Sequence, residues 1–217
     1  MRPHTFRWGF FMFYLEKKIP QMDALEQFKT WLTNVPFITE EDCAFFLPWL
    51  KVKQFKAREY FVAEGTVCKE VGFVTKGAFR TFYLQEGKEI NTCFYFENQF
   101  VVEYDSFLKN SASRYFIQAL EDAETVCFSQ PIVQDAYQRS KNWEHFGRLM
   151  AEESYKMVAR RMEDLLFLDG EQRYLKLLQE EPQLFERVPL YHIASYLGVE
   201  RESLSRLRKK VAGKERL

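Results

Sequence analysis

The side chains whose types and spacing suit chemistry lie close to the C-terminus. Arg201, Glu202, Ser203, Ser205 and Arg206 fall within six residues that read as the start of a helix. A guanidinium makes two parallel hydrogen bonds to guanine O6 and N7, a carboxylate accepts from cytosine N4, and a serine hydroxyl bonds either kind of base. Such groups on the N-terminal part of a helix fit base edges in a major groove. Arg208, Lys209, Lys210 and Lys214 follow, and their charges suit phosphate oxygens. A helical hairpin with a solvated basic face is the other reading of this segment. Catalytic patterns do not compete with it. The three histidines, His4, His145 and His192, lie outside the β-rich region, and no GxSxG, Walker or zincin pattern occurs. No catalytic residue and no metal ligand is assigned, and the chain is not read as an enzyme. The four cysteines, Cys43, Cys68, Cys93 and Cys127, are too widely spaced for a zinc-type pair, and read as reduced thiols of a cytoplasmic protein.

Those polar residues need an element that presents them, and residues 190–207 supply it. With Leu190 as position 1, a small residue (Ala194) stands at position 5, Gly198 at 9, and apolar residues (Ile193, Leu197, Val199, Leu204, Leu207) at 4, 8, 10, 15 and 18. Two short helices that cross closely need the small residue, and the turn between them favours a glycine with positive φ. The spacing therefore predicts a helix-turn-helix whose second helix carries 201–206. Charge agrees. The whole chain is formally neutral, with 31 basic and 31 acidic residues. From Arg187 onward, however, eight basic residues face three acidic ones, a net of +5 that leaves −5 on the first 186. Neutrality excludes a uniformly basic nucleic-acid coat but leaves room for a confined basic end.

Upstream, the periodicity divides the chain. Residues 23–50 read as helical, with Leu25, Phe28, Trp31 and Leu32 at helical spacing. From 51 to about 129 short segments rich in Val, Ile, Thr, Phe and Tyr (60–63, 71–75, 78–84, 90–96, 115–120, 125–128) alternate with glycine turns, which predicts a β-sandwich or roll. Residues 142–168 predict a helix about 40 Å long, at 1.5 Å per residue. Its seam of Phe146, Met150, Met157 and Leu165 suits a two-stranded dimer or packing against the chain's own β domain. A shorter amphipathic helix is expected over 172–181. The run 8–15 is apolar but far too short to span a membrane, and residues 1–21 read as an extension or a mis-assigned start. With 47% hydrophobic and 17% aromatic residues, disorder is excluded for most of the chain.

The order of these parts resembles the Crp/Fnr family of bacterial transcription regulators, in the short form found in Bacteroidetes-type bacteria. On the β side the resemblance rests on FVAEG at 61–65, GFVTKGAFR at 72–80 and EGKEI at 86–90. On the helical side it rests on ERESLSRLR at 200–208. It implies an α+β protein: an N-terminal β-roll, a double-stranded β-helix of cyclic-nucleotide-binding type flanked by helices (22–140), a long dimerisation helix (141–168) and a C-terminal all-α helix-turn-helix domain (169–217). It further implies a homodimer on a palindromic double-stranded DNA operator, contact with RNA polymerase, a small-molecule effector and no membrane association. The family's base-reading positions fall on Arg201, Glu202 and Arg206.

Two departures stand out. Where cyclic-nucleotide binders carry Gly-Glu and, about ten residues later, Arg-Ser, this chain has Val102-Glu103 and Ser113-Arg114. Glu103, Ser113 and Arg114 are the corresponding effector-pocket residues. The inverted pair turns the guanidinium to the other face of a strand, and Val102 adds a Cβ where backbone should approach the ligand. Cyclic AMP is thus not expected to bind in the family's usual way, although a cyclic nucleotide remains a candidate cofactor. The family's wing after the recognition helix has no room in 211–217, so a wing lies upstream near 184–188 or is missing. The alternative function is a small-molecule or cyclic-nucleotide binding module whose helical tail mediates protein–protein contacts.

Overall fold

The computed structural model describes residues 22–214, with side chains through Val211. The expected extension at 1–21 lies outside the described residues. Two four-stranded antiparallel sheets form the roll. One has the order β1-β8-β3-β6 and the other β2-β7-β4-β5. The strands are β1 Lys51–Phe55, β2 Tyr60–Val62, β3 Glu70–Lys76, β4 Phe79–Gln85, β5 Lys88–Tyr95, β6 Phe100–Val101, β7 Phe116–Ala119 and β8 Ala123–Ser129. Six of these match the expected β segments within a few residues. The sequence pattern misses β1, whose Lys-Val-Lys-Gln run lies exposed at a sheet edge, and β6, which is two residues long.

Tight turns set the register. Glu86 and Gly87 both have positive φ (51° and 77°) between β4 and β5, as a two-residue hairpin of right-handed strands requires. Gly77 is more constrained. Its φ is +85°, and a Cβ there would lie 2.7 Å from the Ala123 backbone.

The alternation of side chains then separates two cores. Inside the roll, Phe55, Phe61 and Phe79 meet at centroid distances of 5.4–6.2 Å and pack with Val62, Val101 and Ile117. Outside the first sheet lies a helical layer: α1 Ala24–Thr33, α2 Glu40–Phe46 with a short 3₁₀ turn Leu47–Trp49, α4 Gln130–Arg139 and the start of α5 Lys141–Phe167. The rings of Phe28 and Trp31 of α1 lie 5.0 and 5.1 Å from that of Phe73 of β3 between centroids, and Phe46 packs at a tilt against Trp143 at 4.4 Å. Asp42 helps tie the layer together. It completes a capping box with Thr39 and accepts a 2.8 Å hydrogen bond from Asn142.

The long helix begins at Lys141 because Ser140 is extended and its hydroxyl accepts the Asn142 N–H. This break makes α4 a separate helix that the sequence pattern does not resolve. Gly147 serves a close crossing, since a Cβ there would fall 2.1 Å from the Tyr137 hydroxyl. A short helix α3 (Tyr104–Lys109) also goes beyond the expected β run. After α5 come α6 Gly170–Glu180, α7 Pro182–Arg187, α8 Leu190–Leu197 and α9 Arg201–Lys214. Residues 184–188 are thus helix and cap rather than a β-hairpin, and no strand follows β8 among the described residues, so the upstream wing is absent.

Gly77→Ala tests the turn geometry. It should lower unfolding free energy by about 1–3 kcal/mol, from positive φ and backbone overlap together, read as a lower denaturant midpoint with an unchanged slope.

Candidate functional site

The turn after α8 has the expected geometry. Gly198 takes φ 65°, and its N–H and that of Val199 return to carbonyls of α8. Ile193, Ala194, Leu197 and Leu204 are buried against one another, with Leu207 half-buried beside them. This packing turns the other side of α9 outward. Arg201, Glu202, Ser205 and Arg206 are exposed, as are Arg208, Lys209 and Lys210. Ser203 is half-buried and accepts a 3.1 Å hydrogen bond from Arg206. Lys210 is less available than its sequence suggests, being ion-paired with Glu171 of α6 at 2.6 Å. The side chain of Lys214 lies outside those described.

The helix that carries the proposed seam divides along its length. Phe146 faces its own protomer, with Trp31, Phe100 and Trp143 within 5.7–6.1 Å. That seam position is therefore partly covered from within the chain, where α1 lies over the start of α5. Met150 is half-buried. Beyond it, Met157, Val158, Met162, Leu165 and Leu166 are exposed, and Tyr155 and Phe167 are about three-quarters exposed. Exposed apolar side chains gathered along one helix in this way are the kind of surface that protein contacts use. No helix among the described residues is long and apolar enough to cross a membrane.

Two of the three effector-pocket candidates are engaged in local hydrogen bonds. Glu103 is buried and caps α3, accepting the Ser106 N–H at 2.9 Å. Ser113 is buried, donating to the Tyr115 carbonyl and accepting from its N–H. Arg114 is exposed and forms no ion pair among the described residues. A cleft of about 260 Å³ opens nearby, lined by Lys53, Phe61, Val62, Val67, Cys68, Lys69 and Glu70, and none of the three residues lines it.

The most developed polar site is one the sequence does not announce. Arg80 lies on β4 between two interior-facing residues, Phe79 and Thr81, and so points to the outer face of the second sheet. It is only 4% exposed. Its Nε and Nη2 donate to Gln118 (3.1 and 2.7 Å), its Nη1 reaches Glu89 (2.6 Å), Asn91 (3.3 Å) and His192 Nδ1 (2.9 Å), and the Phe82 ring lies 4.0 Å beneath it. His192 belongs to the first helix of the helix-turn-helix, 112 residues away. A guanidinium has no acceptor. His192 Nδ1 must therefore accept, and the ring is neutral with its proton on Nε2. The Asn91 amide also points at this nitrogen, at 3.3 Å. Burial, and then the adjacent Arg80 charge, push the His192 pKa down to about 4. Glu89 is lowered by its hydrogen bond to Arg80.

Around this cluster the roll and the helix-turn-helix are stitched together. Ser195 accepts the Asn91 N–H at 3.0 Å and donates to the Glu89 carbonyl at 2.8 Å. Arg161 of α5 lies 3.6 Å from the Tyr196 ring centroid and donates to the Tyr196 carbonyl. At the far end Arg187 forks onto Glu97 (2.6 and 2.9 Å) and also pairs with Glu121. Arg187 therefore does not belong to the free charge of the basic end. Phe94 and Phe96 of the roll join the same apolar cluster as Leu184, Val188 and Leu197.

Comparison with known proteins fits this architecture. Residues 52–140 match the cyclic nucleotide-binding domain family. FixK2 from Bradyrhizobium japonicum superposes with a TM-score of 0.69 at 16% identity, covering 76% of this chain and 86% of that one. A Crp/Fnr-family transcriptional regulator from Eubacterium rectale superposes with a TM-score of 0.65 at 16% identity, over 81% and 84% of the two chains. The chain has the Crp/Fnr fold. A CooA variant from Carboxydothermus hydrogenoformans shares it (TM-score 0.65, 16% identity, 91% and 87% covered). No curated protein matches by sequence. The Crp/Fnr fold accounts for the order of roll, long helix and helix-turn-helix.

A histidine whose folded pKa is depressed binds fewer protons folded than unfolded. Its contribution is complete above about 6.5 and is lost as pH falls toward 4. His192→Asn keeps an acceptor near Nδ1 without the titration. Across that window the melting temperature of the wild type should fall more steeply than that of His192→Asn. Parallel curves would show that His192 does not titrate as described.

Proposed function

We propose that this protein is a dimeric, sequence-specific DNA-binding transcription regulator of Crp/Fnr type, working in the cytoplasm with no catalytic role. The carrying observation is the face of α9. Arg201, Glu202, Ser205 and Arg206 stand exposed together at the start of a helix whose opposite side is locked into the helix-turn-helix core. Arg206 and Arg201 read guanine edges, Glu202 reads cytosine, and Ser203 holds Arg206. Arg208, Lys209, Lys210 and Lys214 hold phosphates, with Lys210 first released from Glu171. The name of the Eubacterium rectale protein, a transcriptional regulator, supports the same reading.

The parts divide as 22–140 for the roll, 141–168 for the dimer helix and 169–217 for the reader. The exposed stripe from Met157 to Phe167 pairs with its counterpart in a second copy, joined by Met150. Two readers then address half-sites about 34 Å apart on a palindrome, where the dimer also meets RNA polymerase. A small-molecule effector acts through the roll. Three aromatic rings pack within the roll, and Glu103 and Ser113 are committed to local hydrogen bonds. We therefore assign no cyclic AMP site of the family's usual form.

Salt separates this reading from a binding module with a protein-contacting tail. Counterion release makes DNA affinity fall steeply with salt. Arg201→Ala and Arg206→Ala should each cost about 1–3 kcal/mol on the footprinted operator. Affinity indifferent to salt and to both substitutions would remove the DNA reading. Sedimentation should give about twice the 26.1 kDa of one chain. Met150→Glu with Met157→Glu should give a monomer with a large loss of operator affinity.

A further inference from the structure

The junction between roll and helix-turn-helix places acidic groups where a helix-turn-helix meets anions. The first helix of such a motif crosses the DNA backbone. Helix N-termini and neighbouring cations are its phosphate contacts, because their N–H groups and partial positive charge face the strand. Here that helix is α8, and Arg187 stands three residues before it, at the end of α7. Arg187 is not open to a strand. Glu97 takes it in a two-point fork and Glu121 takes it a second time, the geometry with which a guanidinium grips a phosphate. Both carboxylates belong to the roll. Glu97 lies just past β5 and is fixed by accepting the Gly77 N–H at 2.9 Å, and Glu121 lies in the β7–β8 turn. Further along α8, His192 and Ser195 are also engaged by the roll.

We propose that Glu97 and Glu121 act as internal phosphate substitutes, forming an autoinhibitory contact that holds Arg187 and the N-terminal end of α8 against the roll and that DNA must displace. The proposal rests on the DNA-binding reading and names its regulation. In the docked state the reader's exposed face offers base-reading side chains but lacks one phosphate contact, and two carboxylates lie beside the approaching strand. Whatever loosens the β5 end or the β7–β8 turn releases Arg187 and strengthens DNA binding. The Arg80 cluster keeps the rest of α8 in place while that end opens.

The test is binding of the full-length protein to a mixed-sequence DNA duplex over a range of salt concentrations. Glu97→Gln with Glu121→Gln removes both charges, keeps an acceptor for the Gly77 N–H and leaves α9 untouched. It should bind about tenfold tighter, within the usual range of coupling between sites. The slope of log affinity against log salt should steepen by about one phosphate contact per protomer. Adding Arg187→Ala should abolish both gains, an outcome that mere loosening of the fold would not give. Glu121→Gln alone should shift affinity the same way by less, and stands in if the double variant does not fold. Affinity equal to or weaker than wild type, or an unchanged slope, overturns the proposal. If neither protein binds the duplex even at low salt, the DNA reading itself fails, and the regulation with it.

Discussion

A guanidinium buried between two folded units constrains the rest of this molecule. Arg80 carries a full charge at 4% exposure, on the face of a sheet and not at its edge. Such a charge is stable only when its donors are met and its partners are held still, because an unpaired buried ion costs several kcal/mol. Gln118, Glu89 and Asn91 meet most of it from neighbouring strands, and His192 of α8 completes it. Lysine would not substitute, since it lacks the planar fork that reaches both Gln118 and the Glu89 side at once. The consequence reaches the candidate reader. Once α8 is fixed by His192 and Ser195, the turn at Gly198 fixes α9.

This junction joins apolar and polar parts. Phe94 and Phe96 leave the roll and enter the helix-turn-helix core, so part of that core belongs to another unit. Arg161 brings in the long helix through Tyr196. Three parts of the chain therefore meet within one helix turn of α8, and β4 and β5 touch directly the helix that leads into α9. The exposed stripe of α5 starts beyond the half-buried Met150.

How much of this was legible in the sequence follows from the range of each interaction. The helix-turn-helix was readable because its requirements are local: a small residue at Ala194, a positive φ at Gly198 and apolar residues at fixed spacing. The roll was readable from period-two segments and glycine turns, although β1 and β6 were not, one being exposed and charged and the other too short to show a period. Periodicity marks apolar positions on α5 but does not say what covers each of them, and Trp31 of α1 packs on Phe146. The junction was illegible for the same reason. A lone arginine in the run Phe79–Phe82 signals an outward face or a buried partner, and that partner lies 112 residues on. A charge sum is blind to pairing, so it places Arg187 with the basic end, whereas Glu97 and Glu121 hold it.

We propose that α9, carried by α8 and doubled by the α5 face, reads DNA. Hydroxyl-radical footprinting of the protein on its genomic targets addresses it most directly. Two protected patches are expected on one face of the duplex, related by two-fold symmetry and one helical turn, about 34 Å, apart. A single unsymmetrical patch would contradict the paired readers, and no protection on any genomic fragment would contradict the assignment of α9.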